Sequence, residues 1–392
     1  SKASATLTTV SAGAVESTNE FALKFYLANS KECKGNLCVS PFSVGSVLGM
    51  LANGNDGEAR NEILTLLGFD ASKEGLDALN THYQTLLSNF PNIEEEITCN
   101  FTNTIWCDPL DGPIYEPFMQ TISDKFYATY IPQTPKGDQG QYAINQFVSK
   151  NTNGLIENFL SKPLDVEYAF LNTSLFKAGW NESFIKELTK TDEFHDMNNK
   201  KQKIDFMTSV SYSRYTQYTK INDGTESVRL YYGKDAQFSM TLILPAENKK
   251  NKAPEEVLTV DNIRQINEGL KHIYIEIKLP KFEVELNNAK TIDILKKIGL
   301  EKVCSGIAGF NKIKEDDTLY LGTFVHAAKL KVDEDGTEAA AASLGGLEYG
   351  APLFPTNTPK IPQIVFDRPF IFYIQENITG SILFIGSVKT FA

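Results

Sequence analysis

Apolar positions keep a helical period early in this chain and a strand period later. From Asn19 to Ala28, Phe21, Leu23, Phe25 and Tyr26 recur at helical spacing. Ser40-Pro41-Phe42-Ser43 predicts the start of a second helix, with hydroxyl caps and a proline in the first turn. Its body, Val44 to Leu51, is apolar, and Gly45, Ser46 and Gly49 leave room for close neighbours, while Gly54 and Gly57 mark its end. Asn145 to Phe159 predicts another amphipathic helix, interrupted by the turn Asn151-Thr-Asn-Gly154. Tyr168 to Phe176 and Phe238 to Leu244 are nearly unbroken apolar and β-branched runs, which predicts strands covered on both faces. Ile275, Ile277 and Leu279 alternate with polar residues until Pro280 shifts the phase to Phe282 and Val284, which suggests a bulge or an edge. Phe370 to Ile374 and Ile382 to Ile385 flank the polar turn Glu376-Asn-Ile-Thr-Gly380 and read as a buried hairpin.

Helices first and strands later, with no repeat and no linker, predict an α+β fold and one domain over residues 1–392. One stretch does not suit a compact domain. Residues 336–362 carry four prolines and four glycines, with no strong signal after Ser343, and they stand between two convincing strands, Ala327 to Val332 and Ile364 to Ile374. A loop of this length is anchored at both ends and free in the middle, and such loops are usually functional.

Charge and composition then narrow the function. A net charge of −11 disfavours a nucleic-acid surface, which needs clustered Lys and Arg. The basic cluster Lys249, Lys250 and Lys252 reads as a solvated loop, so no heparin site is expected. No apolar run approaches the length that spans a bilayer, so no membrane partner is expected. The five cysteines, Cys33, Cys38, Cys99, Cys107 and Cys304, match neither a zinc site nor a redox pair. Free thiols and the absence of a visible signal favour a cytoplasmic location, against which stand four glycosylation sequons at Asn100, Asn172, Asn181 and Asn377. His82, His195, His272 and His326 lack ligand neighbours at helical spacing, and no nucleophile elbow or phosphate-binding loop occurs, so no cofactor or metal is expected.

The informative segment is Val332-Asp-Glu-Asp-Gly-Thr-Glu-Ala-Ala-Ala-Ala-Ser343. It reads either as a surface helix capped by Thr337, since alanine is the best helix former, or as a hinge followed by a stretch built to enter a sheet. Thr337, Ala339 and Ala341 are small enough to seat in a packed interior, and Gly336 supplies backbone freedom for the turn.

This segment resembles the hinge of inhibitory serpins, and the resemblance covers about Asn19 to Val388. Asn36-Leu-Cys-Val-Ser-Pro-Phe-Ser43 is similar to the family's strand and helix start. Ala52-Asn-Gly-Asn-Asp-Gly-Glu-Ala59 resembles the following turn, departing from it at Asn55 and Ala59, where alanine and threonine are usual. Asn172-Thr-Ser-Leu-Phe-Lys-Ala-Gly-Trp180, Leu279-Pro-Lys-Phe282 and Asp367-Arg-Pro-Phe370 match further landmarks in order. The resemblance implies a serpin fold with three β-sheets, eight or nine helices and an exposed reactive-centre loop at about 336–362. It makes Glu334, Gly336, Thr337, Glu338, Ala339, Ala340, Ala341 and Ala342 the hinge. Ser40, Ser43, Asn172 and His326 become the "shutter" beneath the main sheet, and Trp180 the "breach" at its top.

The same resemblance implies a monomer that inhibits a serine protease as a suicide substrate, by an acyl-enzyme trapped when the cleaved loop inserts into the central sheet. It places the scissile bond near Gly350. No Lys or Arg occurs from Val332 to Pro359, which disfavours trypsin-like partners and favours a chymotrypsin-like or cathepsin-G-like protease cutting after Tyr349. Gly350-Ala351 suits an elastase-like pocket instead, and Leu353-Phe354 is the third candidate. The competing readings are a non-inhibitory serpin acting as carrier or chaperone, and a hydrolase with an unrecognised triad.

Overall fold

The structure, a computed structural model, describes residues 1–111, 113–211, 216–249, 252–288, 290–306, 309–315, 319, 321–337 and 361–391. Among these are nine α-helices and three β-sheets. The helix Ala12–Glu32 is longer at both ends than its apolar positions suggest and is capped by Ser11. Pro41–Ala52 is buried at every position, as a helix of small and apolar residues in a core must be. Its proline sits in the first turn as expected, but the hydroxyls of Ser40 and Ser43 make no capping bond; they turn to one another instead.

The six-stranded sheet runs in the order Phe282–Asn288, His326–Val332, Gly336–Thr337, Tyr168–Gly179, Thr98–Cys107, Thr129–Ile131. A seven-stranded sheet joins Leu37–Val39 and the C-terminal hairpin Phe370–Glu376 and Ile382–Val388 to Phe238–Leu244, Glu226–Tyr232, Gln217–Lys220 and Lys271–His272. The third sheet sets Gln363–Val365 parallel to Ile275–Pro280, followed by Lys201–Ser211 and Lys190–His195.

Three expectations need correction. Pro280 marks no bulge, though of the two alternatives the edge holds for the strand after it, Phe282–Asn288, which stands first in its sheet among the described residues; Ile275–Pro280 lies in a different sheet, and Lys281 is the residue between them. Without an N–H, proline ends one ladder where the chain turns to the next. Tyr168–Gly179 is only half-buried at alternate positions, whereas Phe238–Leu244 is buried throughout. The third of the predicted helices is Gly137–Asn151, and the turn with Asn153 and Gly154 at positive φ ends it, so Phe159 lies beyond.

Most of the core lies between the six- and seven-stranded sheets and beneath the helices packed on them. A smaller cluster on the opposite face of the six-stranded sheet packs Ile144 and Val148 of Gly137–Asn151 onto Trp106 and Leu171. The described residues include no helix long and apolar enough to cross a membrane, and no group of His, Cys, Asp and Glu able to hold a metal.

Candidate functional site

The chain leaves His326–Val332 through Asp333, whose carboxylate accepts from the amides of Asp335 and Gly336 at 2.9 and 3.2 Å. This turn is held from outside. The Trp180 amide donates to the Asp335 carbonyl at 2.9 Å, its indole Nε1 to the Asp333 carbonyl at 3.0 Å, and the Phe184 amide to the Glu334 carbonyl at 2.9 Å. Glu334 is itself buried and pairs with Lys281 at 2.7 Å. That hydrogen bond raises the pKa of Lys281 and keeps it charged.

Gly336 has φ of +154°, and a Cβ there would lie 2.1 Å from the Ala178 carbonyl oxygen, so no other residue fits. Thr337 follows in strand geometry between Val332 on one side and Ala178 on the other. Gly336 and Thr337 therefore form a strand, not the cap of a surface helix. Thr337 is 1% exposed, and its hydroxyl lies 2.6 Å from that of Tyr232. The Tyr232 ring stacks on Trp180, with centroids 4.5 Å apart and planes 10° apart, and burial pushes its pKa up, which keeps the hydroxyl protonated.

Below Thr337 the described residues leave two strand edges facing one another. His326–Val332 pairs along its length with Phe282–Asn288 on one side, and on the other, among the described residues, Val332 alone has a partner. Tyr168–Gly179 pairs from Tyr168 to Lys177 with Thr98–Cys107, and on its other edge, among the described residues, through Ala178 and Gly179. Among the described residues no ladder joins the two strands directly. A cleft of about 450 Å³ opens at the lower end, between Leu171 and Asn172 on one strand and Val325 and His326 on the other. Helix Pro41–Ala52 contributes Ser43, Val44 and Val47 to its wall.

Ser40, Ser43 and His326 meet there. The Ser40 amide donates to His326 Nε2 at 3.0 Å, which fixes Nε2 as the unprotonated nitrogen. Burial lowers the His326 pKa to about 4, so the ring is neutral. The Ser40 hydroxyl lies 3.0 Å from that of Ser43 and donates to the Leu383 carbonyl at 3.1 Å. Asn172 turns elsewhere: its Nδ2 donates to Asn103 Oδ1 at 2.8 Å, and Asn103 in turn donates to the Ser46 hydroxyl and the Phe126 carbonyl. Its own Oδ1 is buried beside the cleft, without a partner among the described residues.

The structure thus brings together Glu334, Gly336, Thr337 and Trp180 at the top of the sheet, and Ser40, Ser43, Asn172 and His326 at its lower end. Glu338, Ala339, Ala340, Ala341 and Ala342, and the bait candidates Tyr349, Gly350, Ala351, Leu353 and Phe354, lie outside the described residues. Sequence reasoning missed Tyr232, Asn103 and the ionic partner of Glu334. Lys281 was visible inside the Leu279-Pro-Lys-Phe282 landmark, but nothing in the sequence marked Tyr232 or Asn103 as partners.

Comparison with known proteins places this geometry. The family model Serpin (serine protease inhibitor) matches residues 16–390. Iripin-8 of Ixodes ricinus is 28% identical over 363 residues, covering 91% of this chain and 88% of that protein. The thermophilic serpin tengpin in its native state superposes with a TM-score of 0.82 at 27% identity, over 96% of this chain and 94% of that one. A thyroxine-binding globulin in complex with thyroxine shares the fold at a TM-score of 0.82 and 22% identity, over 95% and 98% of the two chains. A family model matching nearly the whole length, over a fold of three sheets in this order, establishes that the chain belongs to the serpin family.

Proposed function

We propose that this serpin inhibits serine proteases and is consumed in doing so. The observation that carries the reading is the place of Thr337 between Val332 and Ala178, on two strands that no ladder joins directly among the described residues. Extending the register Thr337↔Ala178 and Thr337↔Val332 one residue at a time brings Ala339 level with Phe176 and Leu330. Ala341 comes level with Ser174 and Ala328, and Ser343 with Asn172 and His326. These share the inward face with Thr337, where Phe176, Ala328, Leu330 and Val332 are buried, and only small side chains fit beside them. The outward face brings Glu338 level with Lys177 and Lys331. A carboxylate between two lysines on adjacent strands is a favourable pairing, which accounts for the single charge in an otherwise alanine-rich segment.

The protease serine attacks the carbonyl carbon of the bait residue, the peptide bond breaks, and the new amine leaves with the C-terminal fragment. An ester now joins loop and enzyme. Freed at one end, the loop enters the seat and carries the enzyme with it before water can hydrolyse the ester. About ten new backbone hydrogen bonds at roughly 1 kcal/mol net each are comparable to the whole stability of a protease, about 5–15 kcal/mol.

Incubation with chymotrypsin and cathepsin G, followed by boiling in detergent, tests the reading: a surviving complex is expected, and complete turnover without one rejects it. Mass spectrometry of the released peptide locates the bait. A peptide starting at Gly350 identifies Tyr349, one starting at Phe354 moves the site to Leu353, and one starting at Ile361 makes Lys360 the bait and the preference tryptic. The second reading, a non-inhibitory carrier, draws on the thyroxine-bound neighbour, whose likeness extends to the fold; it predicts cleavage of the loop with no trapped complex.

A further inference from the structure

We propose that Tyr232 is a positioning residue that sets the register of loop insertion, holding Thr337 in the sheet before any bond is cut. This rests on the inhibitory reading for its purpose, but on the described contact for its existence. The phenol oxygen cannot move to suit the loop. Its ring is stacked on Trp180 on one face and meets the edge of Phe176 at 5.2 Å, and Trp180 is itself tied to Asp333 and Asp335. The hydroxyl of a residue with 0% exposure needs a partner inside the core, and Thr337 supplies it at 2.6 Å.

Between Val332 and Ala342 no other residue carries a hydroxyl. A slip of one residue brings Gly336 or Glu338 to the phenol, and a slip of two brings Ala339 or Asp335. Only the observed register pairs the two hydroxyls, because register errors in a sheet are penalised by what each side chain then faces. Two residues already in place also remove the entropic cost of the first strand contact, so insertion starts from a formed nucleus. That matters because trapping is a race between insertion and hydrolysis of the ester.

The test is a pair of variants, Y232F and Y232F/T337V, in the full chain. Y232F leaves the Thr337 hydroxyl buried and unpaired, which disfavours the seat, whereas the double variant removes both hydroxyls at nearly constant shape. Amide hydrogen exchange of the uncleaved protein, read on the peptide Asp333–Thr337, is expected to quicken about tenfold or more in Y232F and return close to the parent rate in the double variant. With chymotrypsin, the fraction of molecules cleaved without trapping should rise in Y232F and fall back in the double variant. A role in packing alone predicts no rescue by T337V, and that result, or unchanged exchange in Y232F, overturns the proposal. If exchange responds as stated but no form traps a protease, the seating contact stands and the inhibitory reading falls.

Discussion

The Ser40 amide donates into the core, where water cannot replace a lost acceptor, and His326 Nε2 supplies that acceptor while its ring packs edge-on against Phe25 at 5.8 Å. His326→Ala removes the acceptor and leaves a cavity, so a loss of about 2–4 kcal/mol in native stability is expected, measured as a lower unfolding temperature at neutral pH. The same residue shapes the response to acid. The buried ring titrates at about 4, against 6.5 for an unperturbed imidazole, because burial disfavours its charged form. Above pH 6.5 neither state binds the proton. As pH falls towards 4 the unfolded state binds it and the folded state does not, so stability declines by up to about 3 kcal/mol for this group. His82, also lowered to about 4 by burial, adds in the same direction. The drop in unfolding temperature between pH 7.5 and 5 should therefore be smaller in His326→Ala than in the parent; an equal drop removes His326 from the account. Its position in an apolar strand was legible in the sequence, but its partner was not. Asn172, grouped with it beneath the sheet by the resemblance, donates to Asn103 instead, a choice that the packing of Thr98–Cys107 against Tyr168–Gly179 decides.

At the scale of the element, the seat between two strand edges makes opposite demands on the two faces of the segment that would fill it. Thr337→Arg places a guanidinium where Thr337 is now 1% exposed, and an unpaired charge there costs several kcal/mol. The expected outcome is conversion from inhibitor to substrate, seen as cleaved protein without the detergent-stable complex; complexes at the parent stoichiometry count against insertion. Glu338→Lys tests the outward face, where three cations would stand level across adjacent strands. Repulsion of up to about 1 kcal/mol per neighbour slows insertion, so the substrate fraction should rise, more at low salt than at high. Such elements were partly visible in advance. The alternation of Ile275 to Leu279 gave its strand, and the hairpin of Phe370–Glu376 with Ile382–Val388 forms as its polar turn suggests. Pro280 misled because a phase shift looks the same in sequence whether the strand bulges or leaves for another sheet.

For the whole molecule, residues 275–288 touch the chain on both sides of residues 338–360. Its first strand pairs with Gln363–Val365, its second borders His326–Val332, and Lys281 between them grips Glu334. The start thus leads to two strand edges that no ladder joins among the described residues, while the far end lies in a three-residue pairing, so on the proposed function it is the start that moves after a cut. Nicking the loop with a metalloprotease, which forms no acyl-enzyme, should let it fill the seat alone. Roughly ten added backbone bonds should then raise the unfolding temperature by about 10 °C or more, and an unchanged temperature on scanning calorimetry would show that the seat stays empty.

On the proposed function, the opening beneath Thr337 fills only once. A reversible inhibitor is described by a dissociation constant and serves again after each release. A molecule spent by taking up its own strand has no second encounter, and its strength is a head count of unspent copies. Protection then falls by one with every protease met, or with every stray cut, and returns only as fast as new chains are made.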